Sequence, residues 1–146
     1  MKVVVDSNII FSAMLNPESS IGDIILNSQD TFTFYGCEYL REEINDHKDK
    51  IIKISGYEES EYLEVEFLVY SQVDFLSEST IPFEFWKKAA DLVRDVDMDD
   101  ITHVALCLFL DIKLWTGDKL LIAGLIKKGF TNFISTQEMI QLRHVI

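Results

Sequence analysis

Blocks of apolar residues along the chain predict strands and helices in alternation. Residues 2–5 form a short β-branched run, which is typical of a strand buried on both faces. Further short apolar segments predict strands over residues 31–35, 73–76, 112–115 and 132–135. Longer segments predict helices over residues 9–15, 20–28, 38–53, 83–94, 99–110, 119–128 and 137–143. This alternation predicts an α/β fold with a parallel sheet and helices on both of its faces.

Two segments carry more specific expectations. The helix over residues 38–53 is expected to bury one stripe, formed by Leu40, Ile44, His47 and Ile51. Gly36 is expected to end the strand before this helix, and Gly56 to end the helix itself. In residues 57–71 apolar residues alternate with other residues over part of the segment, as in a strand. The glutamate density and the length of the segment nevertheless favour a helix.

Length and composition limit the classes of protein to which the chain can belong. At 146 residues, of which 48% are hydrophobic, it fits one domain (residues 1–146) with a substantial core. No apolar run is long enough to cross a bilayer, and the N-terminus reads as a strand rather than a signal peptide. Cys37 and Cys107 lack metal-binding spacing, so we expect buried apolar thiols in a reducing compartment. The cytoplasm is the expected location.

The formal net charge of −12 restricts the partners that the surface can bind. Nucleic-acid-binding proteins usually carry a basic face that neutralises phosphates, so this charge argues against tight, non-specific binding of nucleic acid. A bound metal ion would neutralise some of the acids. The remaining excess is complementary to a basic protein partner.

Three carboxylates stand where predicted apolar elements begin or end. Asp6 follows the first strand, Asp118 follows the fourth, and Asp100 opens the most apolar helix. The carboxyl ends of parallel strands meet at one edge of a sheet, where ligands bind. Like charges brought together there repel one another, and a cation is the usual means of neutralising them. The three acids therefore predict a divalent-metal site.

Helix capping is the simpler interpretation of each acid taken alone. Asp6, Asp118 and Asp99 all stand just before a predicted helix, where a carboxylate can accept hydrogen bonds from free backbone N–H groups. Capping does not require an acid, however, and does not predict that several caps share one edge of the sheet. The joint pattern is therefore more specific than any of its members.

Helical geometry separates two pairs of neighbouring acids. Successive residues of a helix are rotated by about 100°. Relative to the buried stripe defined above, Glu42 points away and Glu43 lies on the flank. The same construction places Asp99 opposite the buried stripe of its own helix and Asp100 on that stripe's flank. Glu43 and Asp100 are therefore the expected members of the site.

Other metal motifs fit the sequence less well. Residues 95–99 begin like a calcium-binding EF-hand loop, but Asp100 and Leu106 stand where that loop requires Gly and Glu. An all-oxygen site suits Mg²⁺ or Mn²⁺. We therefore expect the three histidines, including His103, to be structural or solvent-facing.

Four short segments resemble the successive motifs of PIN-domain ribonucleases. They are Val3-Val4-Val5-Asp6-Ser7-Asn8, Leu40-Arg41-Glu42-Glu43-Ile44, Asp100-Ile101-Thr102-His103-Val104-Ala105-Leu106 and Leu114-Trp115-Thr116-Gly117-Asp118-Lys119. Each segment is weak alone, but their order and spacing match over nearly the whole chain. The resemblance implies a three-layer α/β/α sandwich around a parallel sheet, which is PIN-like and Rossmann-like.

The resemblance also assigns residues and chemistry by motif. The catalytic and metal-binding acids would be Asp6, Glu43, Asp100 and Asp118. The supporting polar residues would be Thr116 and Ser7 or Asn8. The reaction would be hydrolysis of RNA phosphodiester bonds by an Mg²⁺- or Mn²⁺-dependent endoribonuclease. One departure is Cys37, at a position that is often Ser in the family.

The biological role stays open at this point. PIN-domain nucleases are often toxins of bacterial toxin–antitoxin pairs, which implies a basic antitoxin as partner, and the family often forms homodimers. A stand-alone RNA-processing enzyme fits the same motifs. The alternative is an acidic protein-interaction domain of this fold without catalytic turnover, which metal binding without RNA cleavage would favour. No association with a membrane is expected.

Overall fold

A computed structural model describes residues 1–144, which form five strands and nine α-helices. The strands are β1 (Lys2–Val5), β2 (Thr33–Cys37), β3 (Val73–Leu76), β4 (Lys113–Trp115) and β5 (Phe133–Ile134). The helices are α1 (Ser7–Leu15), α2 (Ser20–Asn27), α3 (Tyr39–Asp46), α4 (Lys48–Ser55), α5 (Glu59–Tyr70), α6 (Phe83–Val93), α7 (Ile101–Leu110), α8 (Lys119–Lys127) and α9 (Thr136–Arg143). Two short 3₁₀ helices cover Glu78–Thr80 and Met98–Asp100.

The five strands form one parallel sheet in the order β3-β2-β1-β4-β5. β1 lies at its centre and is apolar on both sides, because Val3 and Val5 belong to one core and Val4 belongs to the other. The first core is covered by α1 to α5 and α9, and the second by α6 to α8. The predicted three-layer α/β/α sandwich is confirmed.

The chain order creates a crevice between β1 and β4. From β1 the chain builds β2 and β3 on one side and then returns to place β4 and β5 on the other. Such a reversal leaves room beyond the carboxyl ends of the two central strands, where ligands bind in open α/β sheets. Asp6 follows β1 directly, and its N–H donates to the Trp115 carbonyl of β4 at 3.3 Å. The residues that follow these two strands therefore meet.

The predicted helix over residues 38–53 is two helices, α3 and α4, joined at His47. The prediction that His47 belongs to the buried stripe is wrong: the residue is exposed, whereas the three aliphatic members of the stripe are buried. The break in the helix lets the polar imidazole remain at the surface. There it packs edge-on against Phe11, with ring centroids 5.8 Å apart.

The second strand continues through the glycine that was expected to end it. Gly36 pairs with Phe75 of β3, and the strand ends one residue later at Cys37. A Cβ atom at Gly36 would lie 2.8 Å from the Leu40 Cδ2. The glycine therefore allows α3 to pack closely on β2 and does not form a turn.

The remaining elements agree with the predicted pattern. Residues 57–71 contain the helix α5, as their composition favours, and Gly56 ends α4 in a left-handed conformation with φ of 78°. Every other predicted strand and helix lies within two residues of its observed bounds. Within residues 1–144 no single helix has the length and apolarity of a membrane span, and α1 and α2 meet these criteria only as a pair bent by 100°.

Gly22 provides a test of the packing of α2 against the turn that precedes it. A Cβ atom there would lie 2.4 Å from the carbonyl oxygen of Pro17, which is backbone and cannot rotate away. We expect Gly22→Ala to lower the free energy of unfolding by about 1–3 kcal/mol, because the clash exceeds the roughly 1 kcal/mol that Ala gains in helix propensity. Urea denaturation measures this loss. In the control Gly117→Ala the added methyl meets nothing within 4 Å, and equal stability of both variants would contradict the close approach.

Candidate active site

An almost completely buried carboxylate lies at the centre of the crevice. Asp6 is 2% exposed and caps α1, with its Oδ1 accepting a hydrogen bond from the Ile9 N–H at 2.9 Å. Burial raises the pKa of Asp6, and Asp118 adds to this, whereas hydrogen bonds from Thr116 and Ile9 and the charge of His103 lower it. The net pKa is above the ordinary value. The ionised carboxylate is therefore stabilised by any additional positive charge nearby.

Two residues that follow β4 line the same crevice. The buried Thr116 accepts a hydrogen bond from the Asp118 N–H at 3.1 Å through its hydroxyl oxygen. Asp118 caps α8, with Oδ1 accepting from the Leu120 and Leu121 N–H groups, both at 3.1 Å. Both capping bonds use the same carboxylate oxygen. Thr116 thus links Asp6 and Asp118, and its predicted position beside the acids is as expected.

Asp100 approaches from the other side of the crevice. It is half-buried, ends the second 3₁₀ helix and immediately precedes α7. Burial raises the pKa of Asp100 to about 7; the charge of His103 opposes the shift, and the charges of Asp97, Asp6 and Asp118 add to it. The charges of Asp6 and Asp118 thus reach the Asp100 carboxyl group, and the three acids border the same crevice.

Glu43 faces a buried histidine. Its Oε1 lies 3.2 Å from the Nε2 of His103, which is 0% exposed, whereas the Glu43 side chain is 16% exposed. The approach lacks the alignment of a full hydrogen bond, and within residues 1–144 neither Glu43 Oε1 nor either ring nitrogen has another partner. Burial lowers the pKa of His103, but contact with Glu43 and the charges of Glu43, Asp6 and Asp100 raise it above its ordinary value.

The two pairs of neighbouring acids are arranged as the helical angles predict. Glu42 and Asp99 are exposed, whereas Glu43 and Asp100 are partly buried beside the crevice. The capping interpretation of Asp99 is wrong, because Asp97 caps the 3₁₀ helix and accepts from the Asp99 N–H at 2.9 Å. Asp6 and Asp118 both cap a helix and also meet at one edge of the sheet. Asp6 and Asp118 therefore have both properties, and helix capping is not an alternative to the clustering of the acids.

Two residues beside the acids are not assigned to the site by the sequence. His103 is buried, as a structural histidine would be, yet it contacts Glu43, and its place one helical turn after Asp100 is the available signal. Tyr39 lies one turn before Glu43 on α3. The charge of Glu43 and then burial raise the pKa of the Tyr39 hydroxyl, with Asp99 adding to the effect. Both residues border Glu43.

The other predicted positions lie outside the cluster. Ser7 and Asn8 occupy the first turn of α1 and line a separate small cavity beside the crevice.

Cys37 and Cys107 are buried and free, as expected. Burial, with the charges of Glu78 and Glu38, raises the pKa of Cys37 to about 12. The thiol at the position that is often Ser is therefore protonated and unreactive.

The chemistry of the cluster fits a hard divalent cation. Within residues 1–144 no three His, Cys, Asp or Glu side chains surround a single point closely enough to hold a metal ion. Glu43 is directed at His103, and Asp6 and Asp118 hold backbone N–H groups. The acids nevertheless offer an oxygen-only ligand set, which suits Mg²⁺ or Mn²⁺. The buried Asp6 carboxylate, whose pKa is raised, also fits a site that receives positive charge.

Fold and site together define a Rossmann-like α/β/α protein. Its acidic cluster (Asp6, Asp100 and Asp118) lies at the point where the strand order reverses, between β1 and β4. The family model for the PIN domain matches residues 4–142. The chain therefore belongs to the PIN-domain family, and the resemblance carried by the four motifs is confirmed. PIN domains are generally nucleases that use divalent metals. The comparison with curated proteins gives no match.

The raised pKa values predict how the stability of the metal-free protein depends on pH. Asp100 has an ordinary pKa of 3.8, which is raised to about 7 in the folded protein. Between these values the folded state binds more protons than the unfolded state, so the free energy of unfolding should fall as pH rises. The raised pKa of His103 acts in the same direction above its ordinary value of 6.5. Urea denaturation in EDTA at about pH 5 and about pH 8 measures the fall.

Asp100→Asn provides the control for this dependence. The amide does not titrate, so the variant should gain stability relative to the wild type as pH rises from about 5 to about 8. A constant difference between the two proteins over that range would contradict the raised pKa of Asp100.

Proposed function

We propose that the protein is a metal-dependent ribonuclease that hydrolyses RNA phosphodiester bonds at the acidic cluster. The observation that carries the proposal is the buried Asp6 carboxylate, to which Asp100 and Asp118 are brought from separate elements. A capping role alone does not explain this arrangement, because Asn or Ser caps a helix equally well without a buried charge. Crowded carboxylates with raised pKa values are characteristic of functional sites.

The proposed cation ligands are Asp6, Asp100 and Asp118, and the proposed ion is Mg²⁺ or Mn²⁺. When bound by these residues, such a cation would supply a lower pKa for a coordinated water, polarisation of a phosphoryl oxygen and neutralisation of charge during an in-line displacement. Thr116 holds Asp6 and Asp118 in register through its contacts with both. The protein would thus supply oxygen ligands from three separate elements.

Glu43 has a different proposed role. It caps no helix, and its Oε1 faces the buried His103 while the side chain stays 16% exposed. A carboxylate in that position can orient an attacking water and accept its proton. His103 is a positioning residue, because it lies behind Glu43, is completely buried and contacts the carboxylate from the protein interior.

Substitutions of the acids test this division of roles. We expect Asp6→Asn to abolish Mn²⁺-dependent cleavage of a fluorescent single-stranded RNA while the fold is retained, because Asn can still cap α1. We expect Glu43→Gln to lower kcat by about 10²-fold or more, the usual contribution of a general base. Fluorescence release under saturating RNA measures both effects.

Glu42→Gln is the matched control, because it makes the same change on the exposed face of α3. Its kcat should remain within about twofold of the wild type. Full activity in Asp6→Asn, or a larger loss in Glu42→Gln than in Glu43→Gln, would overturn the assignment.

The exposed surface of α5 favours a second function, which is the binding of a protein partner. Leu63 and Phe67 lie one turn apart and are 50% and 71% exposed. Acidic residues surround them on or next to the same helix, namely Glu58, Glu59, Glu61, Glu64 and Glu66. A basic amphipathic segment would bury the apolar pair and neutralise these acids. We therefore propose a basic protein partner, as in a toxin–antitoxin pair or in an interaction domain without turnover.

Phe67→Ser tests this partner surface. If a small basic reading frame lies beside the gene, its product should co-purify with the wild type and lose affinity for Phe67→Ser by at least about tenfold. The control is Phe83→Ser, which removes a 78% exposed phenylalanine at the start of α6. Equal binding to both variants would place the partner elsewhere.

A further inference from the structure

A small cavity lies beside the acidic cluster, on the side of α1. Its volume is about 200 Å³, and it is lined by Ser7, Asn8, Phe11, His47 and Lys50. The lining residues come from α1 and from the junction between α3 and α4. The proposed hydrolysis uses none of their side chains, so the cavity has no role in the chemistry described above.

Chain position connects the cavity to two of the acids. Ser7 directly follows Asp6, and Phe11 lies one turn further along the same face of α1. His47 follows the last residue of α3, four positions after Glu43. The cavity is therefore lined by the first residue after Asp6 and by the residue that ends the helix of Glu43.

Phe11 and His47 form an aromatic corner in the cavity. Their ring centroids are 5.8 Å apart, with an angle of 78° between the ring planes. Phe11 packs against the hydrophobic core, whereas His47 is exposed. The partly buried Phe11 ring holds the exposed imidazole in place. An exposed ring that is fixed in this way is a surface on which an unpaired nucleobase can stack.

Lys50 adds a positive charge to the cavity. Its Nζ lies 5.6 Å from the centroid of the Phe11 ring. Within residues 1–144 it makes no ion pair, whereas Lys48 on the same helix is paired with Glu59. In a chain with a net charge of −12, such a lysine is placed to contact a phosphate. Ser7 and Asn8 add hydrogen-bond donors and acceptors suited to the edge of a base.

From this cavity we infer a nucleotide-binding subsite for single-stranded RNA, next to the scissile phosphate. The base stacks on His47 and the adjoining phosphate contacts Lys50. Its place beside a scissile bond rests on the proposed nuclease function, but RNA binding there requires no metal. The subsite lets an acidic protein hold RNA through one stacked base and one lysine, without a basic face.

Binding can be measured without cleavage in the Asp6→Asn background, in EDTA, by fluorescence anisotropy with a labelled single-stranded RNA octamer. We expect His47→Ala to raise Kd about fivefold or more, which is the lower end of the effect of losing one base–aromatic stack. We expect Lys50→Ala to raise Kd and also to reduce the slope of log Kd against log salt by about 0.7, the value for one phosphate contact on a single strand. His47→Ala should leave that slope unchanged.

Lys88→Ala is the matched control. Its Nζ lies 5.8 Å from the Phe85 ring centroid, a similar contact on a helix that covers the other face of the sheet. The Kd of Lys88→Ala for the RNA octamer should stay within about twofold of that of the Asp6→Asn background. Unchanged Kd in both His47→Ala and Lys50→Ala, equal loss in Lys88→Ala, or absence of RNA binding by the background protein would overturn the subsite.

Failure of the subsite and failure of the nuclease proposal give different results. If the wild type cleaves RNA but the cavity variants bind RNA as the background does, only the subsite is wrong. If the wild type cleaves no RNA with Mg²⁺ or Mn²⁺ but the cavity variants lose binding, the RNA site stands and the nuclease proposal is wrong.

Discussion

Burial of the Asp6 carboxylate between β1 and α1 is the constraint on which the rest of the site depends. A charged group removed from water is destabilising unless hydrogen bonds or opposite charge compensate. Thr116, the Ile9 N–H and His103 supply part of this compensation, while the charge of Asp118 opposes it. The crevice therefore holds more negative charge than its own donors neutralise. A divalent cation is the simplest group that would complete the balance.

The sheet order produces this constraint from short sequence signals. β1 is apolar on both faces, through Val3, Val4 and Val5, because it is the central strand of the sheet. This strand ends at the point where the strand order reverses. The residue after such a strand is necessarily in the crevice. For this reason the positions of Asp6 and Asp118 could be predicted without knowing a single tertiary contact, whereas Asp100 was predicted from its place at the start of the most apolar helix. Helical angles likewise distinguished Glu43 from Glu42, since that distinction is local.

The features that the sequence did not predict depend on contacts between distant segments. Gly36 resembles a strand terminator, and only the position of Leu40 above it explains a glycine inside β2. His47 fits a helical stripe, but the break between α3 and α4 turns it to the surface beside Phe11. The contact of the buried His103 with the partly buried Glu43 joins α7 to α3, which are far apart in sequence. Periodicity carries no information about such pairings.

The central claim, that the acidic cluster is a metal site, is tested most directly by calorimetric titration of Mn²⁺ into the wild type and into Asp6→Asn near pH 7. The account predicts saturable binding by the wild type, with a heat that changes with the ionisation enthalpy of the buffer. That dependence is expected because Asp100, with a pKa of about 7, releases protons when the cation binds. Asp6→Asn should show no saturable heat. Equal Mn²⁺ binding by the two proteins, or none by the wild type, would contradict the claim.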